Sequence, residues 1–288
     1  MSELKAALRD ASEHPVWIGV DQEGGVINRL KADYGFPQTR SHKALGQLDD
    51  PDTTRMEGRR IAQVLAEAGF DLNFAPVVDV AIEPDGPAIG RKERCFGETA
   101  DHVVRHARAY IQGHREVGVL TCCKHFPGHG SARGDTHAGF VDVTDTWQEQ
   151  ELEPYRRLIA EGLAPMVMTA HIVNRRLDPL LPSTLSRAIQ QDLLRGQLGF
   201  DGVLISDDMQ MRAISDHYSL RESIRLGLDA GLDMFCHGNN LLPEPVLLEE
   251  AVQAVVDLVR DGLVPASRIE ASAARILRLK TQTVLGGS

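Results

Sequence analysis

Apolar positions along the chain fall into two alternating patterns. Short continuous runs recur: VWIGV at 16–20, LNFAPVVDV at 72–80, GVLTCC at 118–123, APMVMTAHIV at 164–173, GVLIS at 202–206 and LDMFC at 232–236. They are unbroken rather than alternating with polar residues, as strands are when both faces of a parallel sheet are covered. A further short strand is expected near Met209–Ala213.

The segments between these runs carry helical stripes. Ile61, Val64, Leu65 and Ala68 follow a 3.6-residue period up to Gly69, and Val103, Ala107, Tyr110 and Ile111 do so before Gly118. Leu152, Tyr155, Leu158 and Ile159 form a third stripe ending at Gly162, and Leu220, Ile224 and Leu228 a fourth. Ser219 with Glu222, and Ser267 with Glu270, have the spacing of capping boxes, in which side chains satisfy orphan amides at a helix start. Residues 243–262 read as another helix, and MSELKAALRDASEH at the start of the chain as one more.

Strand and helix in alternation imply an α/β fold with right-handed crossovers. A doubly wound sheet and a (β/α)8 barrel both fit, but no G-x-G-x-x-G follows a strand, which weakens the dinucleotide-binding version. The polar residues favour the barrel. Asp21, Asp79, Lys124 with His125, His171, Asp207 with Asp208, and His237 each stand at the carboxyl end of an apolar run. That rim is where a parallel barrel builds its active site. Two connections, at about 83–98 and 124–148, are long enough to suggest function. No composition break or linker divides the chain, so residues 1–288 are taken as a single catalytic domain.

Composition narrows the classes. The chain has 288 residues, a net charge of −10 and a pI near 5.6, so it lacks the basic face that nucleic acid requires. No apolar run reaches the length of a spanning helix and no signal-like core opens the chain, so a cytoplasmic protein without membrane contact is expected. Cys95, Cys122, Cys123 and Cys236 form no C-x-x-C pair and read as reduced thiols packed as small hydrophobes.

The stretch KHFPGHGSARGDTH, from Lys124 to His137, is the most unusual part of the chain. It lacks the pattern of a phosphate-binding loop. Its His125, His129, Asp135 and His137 match no familiar zinc spacing. Proton transfer fits better. Asp135 and His137, two apart in an extended segment, would share one side, and a carboxylate beside an imidazole fixes its tautomer. Asp207, on another strand, could supply the counterpart. Of the adjacent pair Asp207 and Asp208, the first is expected to face the pocket ionised and the second to accept hydrogen bonds from nearby backbone.

KHFPGHG, then DTH, then GFDGVLISDDM, preceded by DQEGG and NFAPVVDV, resembles the family 3 glycoside hydrolases. Within them the chain looks like the single-domain β-N-acetylhexosaminidases of bacterial cell-wall recycling. The likeness runs from about residue 16 to 240. It implies a TIM-type (β/α)8 barrel and a retaining hydrolase that releases terminal β-linked N-acetylglucosamine through a covalent glycosyl-enzyme. By position, Asp207 matches the nucleophile, His137 the general acid/base and Asp135 its partner. Asp21, Arg29, Arg94, Lys124 and His125 match substrate-binding positions. The resemblance implies a small carbohydrate substrate, no metal and no organic cofactor.

The sequence departs from the family at two places. Only 20 residues precede Asp21, so the first barrel strand is expected to be missing, leaving an incomplete barrel whose exposed edge a second copy of the chain could cover. Val26 stands in DQEGGVINR where the family usually has an arginine. Two other functions compete: a phosphorylase that uses phosphate in place of water, and a degenerate barrel that binds sugar without turning it over. Asp79 and His171 are expected only to line the pocket.

Overall fold

The computed structural model describes residue 7, residue 10, and residues 16–137, 139–239 and 243–285. The helix expected over 1–14 lies outside the described residues apart from Ala7 and Asp10, both helical. The strands are β1 (Gly19–Val20), β2 (Leu72–Asn73), β3 (Leu120–Phe126), β4 (Val141–Asp142), β5 (Met166–Thr169), β6 (Ile172–Val173), β7 (Val203–Asp208) and β8 (Met234–Cys236). The helices are α1 (His42–Leu48), α2 (Pro51–Glu67), α3 (Ala100–Arg115), α4 (Glu153–Ala160), α5 (Arg212–Ser215), α6 (Leu220–Ala230), α7 (Leu247–Arg260) and α8 (Ala266–Leu285). A π-helical segment, Ala188–Gln197, precedes β7.

Six strands form one parallel sheet in the order β1-β2-β3-β5-β7-β8. The sheet is a TIM-barrel-like half-barrel. Among the described residues β1 and β8 are its two unpaired edges, as an incomplete barrel requires. On its outer face Ala75, Cys123, Val167 and Leu204 pack against Ile61 and Leu65 of α2, Val103 and Tyr110 of α3, and Leu158 of α4. On its inner face Leu72, Leu120, Cys122, Met166, Met168, Val203 and Ile205 form a second cluster.

The last helix completes that inner cluster. Ile276 and Leu279 of α8 pack with it, beside Trp17, where a closed barrel would bring further strand side chains. Asp233, just before β8, holds α8 in place, accepting from Ser272 at 2.6 Å and from Arg275 at 3.2 Å, and it also takes Arg195 of the π-helical segment at 2.7 Å.

Several expectations about elements need correction. Met209–Ala213 is not a strand, because Met211 caps the short helix α5. Ser267 caps nothing: α8 begins at Ala266, straight after Pro265, which puts Ser267 inside the first turn. The run at 164–173 breaks at Ala170–His171, and its end pairs as β6 with β4 in a separate two-stranded sheet. Ser219 does cap α6, its hydroxyl accepting from the Glu222 N–H. All four cysteines are free thiols. Among the described residues no helix is long and apolar enough to cross a membrane.

Candidate active site

A cavity of about 280 Å³ opens at the carboxyl ends of the strands. Asp21, Arg29, Arg94, Lys124, His125, Asp135, His137 and Asp207 all line it. They arrive by different routes. Asp21 follows β1, Lys124 and His125 end β3, and Asp207 ends β7. Arg94 sits on the long connection after β2, and Asp135 and His137 on the loop between β3 and β4.

A chain of ion pairs forms one wall. Lys124 is 2% exposed, and its Nζ lies 2.7 Å from Asp21 Oδ1 and 2.7 Å from Glu23 Oε1. Glu23 also takes the fork of Arg94, with Nε at 2.8 Å and an Nη at 2.7 Å. That guanidinium reaches His125 Nε2 at 3.1 Å, and His125 Nδ1 lies 2.8 Å from Asp79 Oδ2. A guanidinium only donates, so Nε2 is the acceptor and the ring proton sits on Nδ1, facing Asp79.

Burial works against the charges of Glu23, Arg94 and Lys124. For Glu23 it is outweighed by Arg94 and Lys124, which hold the carboxyl well below the carboxylate range. For Lys124 it is outweighed by Asp21 and Glu23, which push the ammonium up to about 12. The wall therefore stays ionic at neutral pH. Asp21 is its most open carboxylate, with a side chain 36% exposed. Arg29 stands farther out, 3.8 Å from Asp21.

Asp207 lies on the floor. Burial raises its carboxyl, but His171, His125, the Asp208 N–H and Lys124 together hold it below the ordinary value. His171 is itself pushed down by burial, so at neutral pH the effective partners are the Lys124 charge and the Asp208 N–H, 2.8 Å from Asp207 Oδ1. Asp208 also lines the cavity, contrary to the expectation that the pair would point to opposite sides, but its Oδ1 ties down backbone, accepting from the N–H groups of Gln210 and Gly238, both at 3.0 Å.

The histidine loop has a fixed base and an open tip. The N–H of His129 donates to Asp79 at 2.8 Å and that of Gly130 to Glu151 at 3.0 Å, while Trp147 Nε1 donates to the Pro127 carbonyl. The glycines of KHFPGHG are required here. A Cβ on Gly130 would stand 1.7 Å from the Val80 carbonyl oxygen, and Gly128 has φ +116°, in the left-handed region. At the tip, Asp135 Oδ1 accepts from both the N–H of His137 at 3.1 Å and its Nδ1 at 2.8 Å, closing a turn rather than the extended segment expected. Lys92 pairs with the other carboxylate oxygen at 3.1 Å. Burial would raise Asp135, but His137 and Lys92 outweigh it and hold the carboxyl well down.

The family model of the glycosyl hydrolase family 3 N-terminal domain matches residues 1–279. The chain belongs to glycosyl hydrolase family 3. The β-hexosaminidase of Tolumonas auensis is 34% identical over 275 residues, which is 94% of this chain and 77% of that protein. The solved family 3 β-N-acetylglucosaminidase from a Paenibacillus species superposes with a TM-score of 0.90 at 33% identity. All of this chain aligns, but it spans only 54% of that one. A β-glucoside phosphorylase bound to 2FGlc superposes with a TM-score of 0.85 at 26% identity, over 99% of this chain and 52% of that one. The chain is thus a glycosidase by family, and its cavity lies on the face where a parallel barrel does its chemistry.

Asp79 and His171, expected to line the pocket, are elsewhere. Asp79 lies beyond β2 rather than ending it, and His171 follows β5 at a break. Both are 0% exposed and neither lines the cavity. They act from beneath: Asp79 orients His125 and His129, and His171 bonds the Asp208 carbonyl through Nε2 and the Thr184 hydroxyl through Nδ1. Glu23 and Lys92 were not foreseen from the sequence. Glu23 stands in the DQEGG motif, and a second acid two residues from Asp21 beside two glycines was the available signal. Lys92 carried none, because its partner Asp135 is 43 residues away.

Proposed function

We propose that the protein is a retaining β-N-acetylhexosaminidase that releases terminal β-linked N-acetylglucosamine from cell-wall fragments in the cytoplasm. One observation carries the reading: Asp207 and His137, from separate elements, line the same cavity. Its volume lies near the lower end of the roughly 300–1,000 Å³ of small-molecule sites, which suits one sugar residue better than a chain.

In this reading Asp207 attacks the anomeric carbon as a carboxylate, while His137 protonates the leaving oxygen through Nε2. The Nδ1 atom is occupied by Asp135. The same ring then takes a proton from the water that cleaves the glycosyl-enzyme, and two displacements give retention. Asp21, Lys124, Arg94, His125 and Arg29 offer donors and acceptors for the sugar hydroxyls. Val26 is 64% exposed and does not line the cavity, so that family contact is replaced or lost.

The test is 4-nitrophenyl N-acetyl-β-glucosaminide, with the anomer first released followed by proton NMR. Release of the β-anomer, abolished in Asp207→Ala, supports the proposal. Release of the α-anomer, or turnover equal to that of Asp207→Ala, sinks it. The likeness to a β-glucoside phosphorylase favours a second reading, transfer to phosphate. Sugar 1-phosphate formed faster than free sugar when phosphate is added would establish that alternative.

A further inference from the structure

A cluster outside the cavity has no part in the chemistry above. His102 and His106 stand one turn apart on α3, and Asp49 caps α1 opposite them in a left-handed conformation, φ 52°. His102 Nδ1 and His106 Nε2 each lie 3.6 Å from Asp49 Oδ1. Among the described residues these are the one group of three His, Cys, Asp or Glu side chains whose ligand atoms all fall within 4.8 Å of one another. Ligands about 2.0–2.1 Å from a tetrahedral zinc are separated by about 3.3 Å, close to the spacing found here.

The proton positions point the same way. His102 Nε2 meets the Gly46 carbonyl at 3.1 Å, so it carries the hydrogen, and Nδ1 accepts from Arg105 at 3.1 Å. The Thr54 hydroxyl donates to the Asp50 carbonyl at 3.2 Å, which leaves its oxygen to accept from His106 Nδ1 at 2.8 Å. In the tautomer that donates to Thr54, His106 Nε2 bears a lone pair. The side chain is fully buried, and this atom has no hydrogen-bond partner. Two lone-pair nitrogens thus converge on one carboxylate oxygen, an arrangement that favours a cation between them. Arg105 partly fills that role, donating to both Asp49 and His102, and its side chain is 45% exposed and able to swing away. Each histidine has its other nitrogen fixed by an outer partner, as metal-ligating histidines do.

We propose that Asp49, His102 and His106 bind a zinc-like divalent transition-metal ion, with a fourth position open to water. The ion would staple α1 to α3. Phe96 stacks between His42 of α1 and His106 of α3, and His42 Nδ1 bonds the Arg94 carbonyl at 2.9 Å. The staple therefore lies behind the segment that carries Arg94 to the cavity.

The test uses EDTA-stripped protein, zinc chloride and titration calorimetry, with cobalt as a spectroscopic substitute. Wild type is expected to bind one equivalent, to melt several degrees higher with zinc and to show the visible bands of tetrahedral cobalt. Asp49→Asn keeps a residue that tolerates the left-handed turn, and His102→Gln changes a partly exposed side chain, so both are expected to fold. Each should weaken zinc binding more than about 100-fold, beyond the 10–100-fold typical of outer-shell changes, and Thr54→Val should fall within that range. His137→Ala, which lacks the cavity histidine, should bind zinc as wild type does. Loss of the equivalent in His137→Ala with retention in Asp49→Asn would overturn the proposal, as would no zinc binding by wild type.

Discussion

His137 turns its Nδ1 to Asp135 Oδ1 at 2.8 Å while the same oxygen accepts the His137 N–H at 3.1 Å. One carboxylate thus fixes both the loop backbone and the ring tautomer, and Nε2 is left for chemistry. General acid–base catalysis contributes about 10²–10⁴ in rate, so His137→Ala is expected to lose that much kcat on natural glycosides. The loss should shrink with a 4-nitrophenyl leaving group, which needs little protonation. Asp135→Asn should fall in the same direction but less far. Equal losses for good and poor leaving groups would remove His137 from the acid role.

The adjacent aspartates should separate cleanly. Asp207 faces the cavity with one hydrogen bond from its neighbour, whereas Asp208 Oδ1 ties down Gln210 and Gly238. Asn keeps a carbonyl oxygen for those two N–H groups but is no nucleophile. Asp207→Asn is therefore expected to lose at least about 10⁴ in kcat, and Asp208→Asn less than tenfold. Steady-state kinetics on the two variants decides it, and the reverse order would reassign the nucleophile.

Much of this arrangement was readable in the sequence. Strands buried on both faces leave unbroken apolar runs, so GVLTCC and GVLIS marked β3 and β7, and the polar residues just after them marked the rim. The breaks were not readable. Nothing in APMVMTAHIV shows that Ala170–His171 leaves the sheet, and LNFAPVVDV yields only two paired residues. Apolar content reports burial, not ladder hydrogen bonds. Glu23 was hidden for another reason. Its role comes from two cations 71 and 101 residues away, and such convergence has no local pattern.

Glu23 should matter more to the fold than to any single contact with sugar. It is 2% exposed and neutralises two buried cations, Arg94 and Lys124. Removing one partner from a buried ionic group costs about 3–5 kcal/mol, so Glu23→Ala is expected to lose that much stability in urea unfolding. Arg29, 58% exposed and 3.8 Å from Asp21, offers the contrast. Arg29→Ala should shift stability by less than about 0.5 kcal/mol and act on KM instead. A Glu23→Ala protein as stable as wild type would show that the wall is not held by charge.

Glu151 gives the fold a pH dependence of definite sign. It lies under the histidine loop, accepting from the Gly130 N–H at 3.0 Å. Burial lifts its carboxyl from 4.5 to about 8, against the bonds it accepts from Ser131 and Gln148. The folded state therefore favours the protonated form. In the unfolded chain the group ionises near its ordinary value, so its stabilising contribution is complete below about pH 4.5 and declines as pH rises, until it is gone above about pH 8. Glu151→Gln cannot ionise and should remove that part of the slope. Urea midpoints at about pH 5 and about pH 9 measure it: the drop between them should be smaller in the Gln variant than in wild type. If both proteins lost the same stability over this interval, Glu151 would be ionised in the folded state, held by its N–H donors, and the loop would rest on a carboxylate.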